Sequence, residues 1–121
     1  MPDELTEKII GAAIEVHRIL GPGLLETIYE QALCHELTLR KMSFRRQIAI
    51  DVTYKGKVIK GQRLDLLVEN QVIVELKSVT ILPEVAVAQV LSYLKSTGLK
   101  RALLINFANR KLIDGVKRIS L

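Results

Sequence analysis

The stretch Arg63-Leu64-Asp65-Leu66-Leu67-Val68-Glu69-Asn70-Gln71-Val72-Ile73-Val74-Glu75-Leu76-Lys77 decides how this chain is read. Outside Glu69-Asn70-Gln71, its even positions Leu64, Leu66, Val68, Val72, Val74 and Leu76 are all apolar, while Arg63, Asp65, Leu67, Ile73, Glu75 and Lys77 occupy odd ones. Such period-two alternation predicts two strands with one core face and one different face. Glu69-Asn70-Gln71 is the turn between them, and Asn70 tolerates a positive φ. For the apolar faces to coincide, Val68 must oppose Val72, which sets Asp65 opposite Glu75 and Arg63 opposite Lys77. A two-residue turn would place Asp65 beside Leu76 and expose half the apolar residues, because a one-residue slip flips a strand's faces. The core pattern and the polar cluster therefore demand the same register.

Two carboxylates directly opposite each other lie about 5 Å apart at Cβ. They repel unless a cation or a proton sits between them. With Lys77 beside them, they make a site for one divalent cation and one activated water, the chemistry of phosphodiester hydrolysis. The competing reading is structural: Lys77 neutralises one carboxylate and leaves an ordinary ion-pair cluster on an exposed face. From the strands alone the two stand level.

Outward from this hairpin, Leu5, Ile9, Ala12, Ala13, Val16, Ile19 and Leu20 form one stripe at helical spacing, broken by Gly21-Pro22-Gly23. A second helix is expected from Leu24 to Lys41, with Leu25, Ile28, Tyr29, Ala32, Leu33 and Leu37 inward. Strands follow at 45–54 and 57–68, joined by a Lys55-Gly56 turn, and then at 72–77. Pro83 suits the start of a third helix that runs to Thr97 and stops at Gly98. Arg101 to Phe107 reads as a short strand buried on both faces, and Val116 to Ile119 as an edge strand. The order helix, helix, three strands, helix, strand gives an α/β sandwich. Its first three strands form an antiparallel meander, and the fourth joins in parallel through a right-handed crossover.

At 121 residues the chain is one domain, residues 1–121, with a core of its own. Hydrophobic residues make up 49% of it without a single Trp, so Leu, Ile, Val and Ala build the interior. The lone Cys34 excludes an intrachain disulfide and a cysteine zinc site, and reads as a buried, inert thiol. No apolar run is long enough for a bilayer, and the acidic start does not suit a signal peptide, so a cytoplasmic protein without membrane contact is expected. The net charge of +5 is segmented. Residues 1–38 carry two basic and seven acidic side chains, and 39–63 carry eight basic and one acidic. Residues 64–98 carry two basic and four acidic, and 99–121 six basic and one acidic. A basic rim around an acidic centre suits a polyanion.

Further residues could complete the site. Glu26, at the start of the second helix, is either a partner of the helix dipole or a third acidic ligand. Gln89 and Tyr93, four apart on the third helix, share a face beside Ala86, Val90 and Leu94. They either satisfy each other and the backbone or reach the carboxylates and a phosphate. His17, at an apolar margin, reads as structural, and His35 beside Glu36 as a surface pair.

Gly23-Leu24-Leu25-Glu26-Thr27-Ile28-Tyr29 reads as a G-x-x-E-x-x-Y signature, and the chain resembles the GxxExxY protein family. The segments around it, "HRILGPGLLETIYEQAL", "RLDLLVENQVIVELKSV", "AQVLSYLK" and "ALLINF…DGVKRI", are similar in order and spacing over nearly the whole length. That family is placed among the PD-(D/E)XK nuclease-like proteins, so the resemblance implies a restriction-endonuclease-like core. It implies Asp65, Glu75 and Lys77 as the reacting triad, Glu26 as the helix-borne acid, and Gln89 with Tyr93 as the Gln-x-x-x-Tyr element. Leu64 stands where the literal Pro-Asp would put proline. The expected cofactor is Mg²⁺ or Mn²⁺, held by Glu26, Asp65, Glu75 and the backbone of Leu76. The expected function is metal-dependent cleavage of DNA or RNA. Alternatives are a catalytically silent nucleic-acid-binding or accessory protein on the same fold, and a small-molecule hydrolase. A domain this small also suggests a homo-oligomer or a partner protein.

Overall fold

The computed structural model describes residues 3–121. The elements are α1 (Glu4–Leu20), α2 (Glu26–Leu39), β1 (Phe44–Tyr54), β2 (Lys57–Val68), β3 (Val72–Lys77), α3 (Val85–Thr97), β4 (Arg101–Asn106) and β5 (Val116–Ser120), with a 3₁₀ turn at Leu112–Gly115. The five strands form one mixed sheet in the order β1-β2-β3-β4-β5. β3 and β4 run parallel and all other neighbours are antiparallel. The expected meander, crossover and edge strand are all present. The 3₁₀ turn requires Gly115, because a Cβ there would meet the Asn106 carbonyl at 2.3 Å.

The register inferred from alternation is the observed one. Val68 pairs with Val72, Leu67 with Ile73 and Leu66 with Val74. Asn70 takes a positive φ of 56°, joined by Glu69 at 53°. Lys55 and Gly56 turn the first hairpin with φ of 46° and 82°, which suits a two-residue connection. Gly98 closes α3 in the left-handed region, its amide donating to the Leu94 carbonyl.

Helices cover both faces of the sheet. On one side α1 and α2 pack on Leu66, Val68, Val72, Val74, Leu76, Leu103, Ile105 and Phe107. On the other, α3 packs on Ile50, Leu64, Leu67, Ile73, Ala102, Leu104 and Ile119. This corrects the simple alternation at one point. Leu64 and Leu66 should share a face, yet they lie in opposite clusters. On β1, Phe44 packs toward the α1/α2 side and Ile48 toward α3, although they too should agree. Both strands thus exchange faces between the ladder pairs Arg46–Leu66 and Ile48–Leu64, at Gln47 and Asp65. Gln47 has a φ of 51°, which supplies the half-turn.

The face exchange also ends the β2–β3 ladder at Leu66 and Val74, so Arg63 does not oppose Lys77. Beyond Asp65, β2 continues with β1 alone. Four positions in or beside the first two helices also differ from expectation. Leu25 is exposed just ahead of α2, and Ile28 is exposed while Tyr29 and Glu30 turn inward. Ile19 and Leu20 are exposed because the buried stripe of α1 ends at Val16 and His17.

Candidate active site

Asp65 and Glu75 meet where β2 and β3 part. The Asp65 amide donates to Glu75 Oε1 at 2.7 Å, and the Leu76 amide donates to Asp65 Oδ2 at 2.9 Å. Each carboxylate takes the place a ladder carbonyl would hold, which is why the strands separate here. Glu75 is only 5% exposed, and Asp65 is half-buried. Burial, then the neighbouring Asp65 charge, pushes the Glu75 carboxyl up to about 8. Burial also raises Asp65, although the Leu76 amide opposes the shift. Glu26 is raised too, by burial first and then by the carboxylates of Asp65 and Glu30, against Lys77.

A cavity of about 180 Å³ opens above this pair, lined by Glu26, Glu30, Gln47, Asp65, Glu75 and Lys77 together with Thr27 and Leu76. Lys77 projects its charge onto Glu26, Asp65 and Glu75, yet among the described residues it closes no ion pair with any of them. The neutralised ion-pair cluster is therefore not what forms. Acidic groups whose ionised forms are disfavoured by burial and by one another gather in a partly closed site, with one uncommitted ammonium beside them. This is a donor set of hard oxygens that fits a divalent cation. Among the described residues no three His, Cys, Asp or Glu side chains converge tightly enough to grip an ion as they stand. Asp65 and Glu75 each spend an oxygen on a backbone amide.

The Gly-x-x-Glu-x-x-Tyr segment has a physical purpose here. Gly23 turns with a φ of 102°. The Tyr29 hydroxyl donates to the Gly21 carbonyl at 2.5 Å and accepts from the Leu24 amide at 3.1 Å. The buried Tyr29 ring stacks on Phe107, with centroids 4.4 Å apart and planes 9° from parallel. Ser78, next to Lys77, donates to the Leu24 carbonyl at 2.7 Å. The turn is thereby fastened to both the core and the end of β3, so α2 begins with Glu26 at the cavity rim.

Tyr93 is buried, and the carboxylates of Glu75 and Asp65 act on its hydroxyl; burial first, then these charges, pushes it up to about 12. Gln89 corrects the expectation. It is exposed, does not line the cavity and, among the described residues, offers its side chain to no partner, because the inward stripe of α3 is Ala86, Val90, Tyr93 and Leu94. His17 is structural as read, its Nε2 lying 2.8 Å from the Asn109 carbonyl. Glu36 pairs with Arg40 rather than with His35. Cys34 is buried, and burial pushes its thiol up to about 11, which fits inertness.

Two residues at the cavity were not singled out in the sequence. Glu30 is a buried acid that accepts from Arg46 Nε and Nη2 at 3.0 and 2.7 Å and from Gln47 Nε2 at 2.7 Å. The same Gln47 nitrogen reaches Asp65 Oδ1 at 3.4 Å. The signal was available: Glu30 lies on the helical stripe of Leu33 and Leu37, where an acid must find partners. No comparable signal marks Gln47.

A family model, the PD-(D/E)XK nuclease superfamily, matches residues 3–119. The chain belongs to the PD-(D/E)XK nuclease superfamily. The mixed five-stranded sheet between helices agrees with that fold. No curated protein and no solved structure gives a significant match. Among the described residues of this PD-(D/E)XK chain, no helix is long and apolar enough to cross a membrane.

Proposed function

We propose that the protein is a divalent-metal-dependent nuclease that hydrolyses phosphodiester bonds at the Asp65–Glu75–Lys77 cavity. The observation that carries the reading is the pair of opposed, buried carboxylates whose repulsion Lys77 leaves uncompensated. Asp65 and Glu75, with the Leu76 carbonyl and with Glu26 at the rim, are the oxygens that would hold Mg²⁺ or Mn²⁺. Such an ion supplies Lewis-acid polarisation of the phosphoryl group and a lowered pKa for water at the site.

The chain's own residues do the rest. Lys77 places an ammonium beside the carboxylates, where it orients a water and offsets charge that grows on phosphate oxygens. Glu30 fixes Gln47, and Gln47 holds one Asp65 oxygen, so the half-buried carboxylate keeps its rotamer. Tyr93 is buried in the α3-side core and does not line the cavity, but the charges of Glu75 and Asp65 reach its hydroxyl and keep it protonated across the neutral range. Gln89, on the exposed side of α3, is left out of the proposed reacting set.

The test is incubation with single- and double-stranded DNA and RNA, with Mg²⁺, Mn²⁺ or EDTA. Cleavage that needs the metal and disappears in Asp65→Asn, Glu75→Gln and Lys77→Met supports the reading. Undiminished cleavage in any of the three defeats the assignment.

A further inference from the structure

Past the face exchange, β1 and β2 leave the rest of the sheet and run on as a two-stranded ribbon to the Lys55-Gly56 turn. Residues 53–61 are all exposed, and no helix covers them. Counted at about 3.3 Å per residue, the ribbon tip stands roughly 25–30 Å from Asp65. An isolated ribbon of this kind is marginal in water, yet this one bears Tyr54, Val58 and Ile59 at 61%, 51% and 44% exposure. Residues 52–63 contain Lys55, Lys57, Lys60 and Arg63 and no acid. Among the described residues only Lys60 has an ionic partner, Asp51 at 2.8 Å.

The pairings fix which side chains share a face. Tyr54 opposes Lys57 and Val52 opposes Ile59 on one face, while Thr53 and Val58 share the other. Lys60, bonded to Asp51, stands on this second side, and Lys55 lies over the Tyr54 ring at 5.5 Å. Cations therefore flank both faces of a narrow ribbon whose centre is apolar. Pairing with a second copy would bring like charges together along the exposed edge, which is unfavourable. A polyanion is favoured instead, with negative charge on both sides of the ribbon.

We propose that the β1–β2 ribbon is a DNA-binding arm that lies in the major groove of a B-form duplex. That groove is wide enough for a two-stranded β-ribbon, and the lysines would reach the phosphate strands on either side. The deep, narrow major groove of A-form RNA excludes such an element. Tyr54 and Ile59, which share a face, meet the base edges and thymine methyls. The placement of the scissile bond at Asp65 and Glu75 rests on the nuclease reading above; the binding does not.

The test is fluorescence anisotropy of the full chain with labelled 20-base-pair DNA, in EDTA, over a range of KCl concentrations. Each lost phosphate contact lowers the salt slope by about 0.9. The Lys55→Gln/Lys57→Gln/Lys60→Gln variant should lose about 2.7 of slope and roughly a hundredfold in affinity at 0.15 M salt. Tyr54→Ala should weaken binding severalfold with the slope unchanged. Unchanged affinity and slope in the triple variant would overturn the proposal, since lysines that only protect a strand edge predict that result. So would equal binding to duplex RNA or tighter binding to single strands. A change of sedimentation state without a change in duplex binding would also overturn it and make the ribbon a self-association surface. If no metal cleaves the bound duplex while the triple variant behaves as expected, the nuclease reading fails and the arm stands.

Discussion

Glu75→Gln should stabilise the metal-free protein at pH 8 while destroying cleavage. In the native chain the Glu75 carboxyl is pushed from 4.5 up to about 8 by burial and by Asp65. Between those values the folded state holds a proton that the unfolded chain has released. Stability therefore falls as pH rises through that window and is fully present only below it. At about 1.4 kcal/mol per pH unit, the loss by pH 8 is of order 4 kcal/mol, a large share of a domain's total. A glutamine keeps an oxygen for the Asp65 amide but carries no charge. Its stability should stay nearly level, matching the parent within about 1 kcal/mol at pH 5 and exceeding it by a few kcal/mol at pH 8.

Urea unfolding of both proteins in EDTA at pH 5, 6, 7 and 8 measures the gap, and comparison with Glu75→Gln isolates this residue from every other titration. In melting temperature it corresponds to roughly 10–20 °C at pH 8. Mg²⁺ at a hundred times its Kd should return about 2.7 kcal/mol to the parent and nothing to the variant. Parallel curves for the two proteins from pH 5 to 8 would refute the reasoning, because a relaxed or hydrated Glu75 carries no such penalty.

Other consequences are directly measurable. Because Glu75 and Asp65 are raised, Mg²⁺ binding at pH 7 should release about one proton, seen as buffer-dependent heats in calorimetry; heats independent of buffer would contradict this. Lys77→Met should lose cleavage by a hundredfold or more while binding Mn²⁺ at least as tightly, since a repelling charge is gone. Tyr29→Phe should cost about 1–2 kcal/mol through the two lost hydrogen bonds, read by urea unfolding, and should weaken metal binding by loosening Glu26. Gln47→Ala should lower turnover more than it raises KM, by releasing Asp65 from Glu30; an effect confined to stability would make Gln47 merely structural.

Much of the fold was legible because its strands obey a simple period. The alternation through Val68 and Val72 leaves one register in which both faces are consistent, and that register brings Asp65 to Glu75. The face exchange was invisible for a chemical reason. Leu64 and Leu66 are the same residue type and bury equally well on either side, since helices cover both faces. Gln47, unlike Asn or Gly, does not advertise a left-handed backbone. Gln89 misled because four-residue spacing places it on the side of Tyr93 without placing it on the buried stripe. Ile28 misled similarly, since an apolar residue at the rim of α2 is as acceptable as one beneath it.

The arrangement of the site follows from a conflict between sheet and charge. A β2–β3 ladder that ran on past Leu66 and Val74 would satisfy every amide from carbonyls, leaving both carboxylates to repel across a closed strand pair. Parting the strands lets the Asp65 and Leu76 amides bind those carboxylates and opens the 180 Å³ cavity beside them. The separation in turn needs β1 and β2 to rotate together, which Gln47 permits and the Glu30 bonds to Arg46 and Gln47 secure. The rotation that exposes the site also frees the outer halves of β1 and β2 from the sheet. Candidate site and basic ribbon are thus two outcomes of one bend, and a duplex held along the ribbon as proposed would approach the carboxylates at its base.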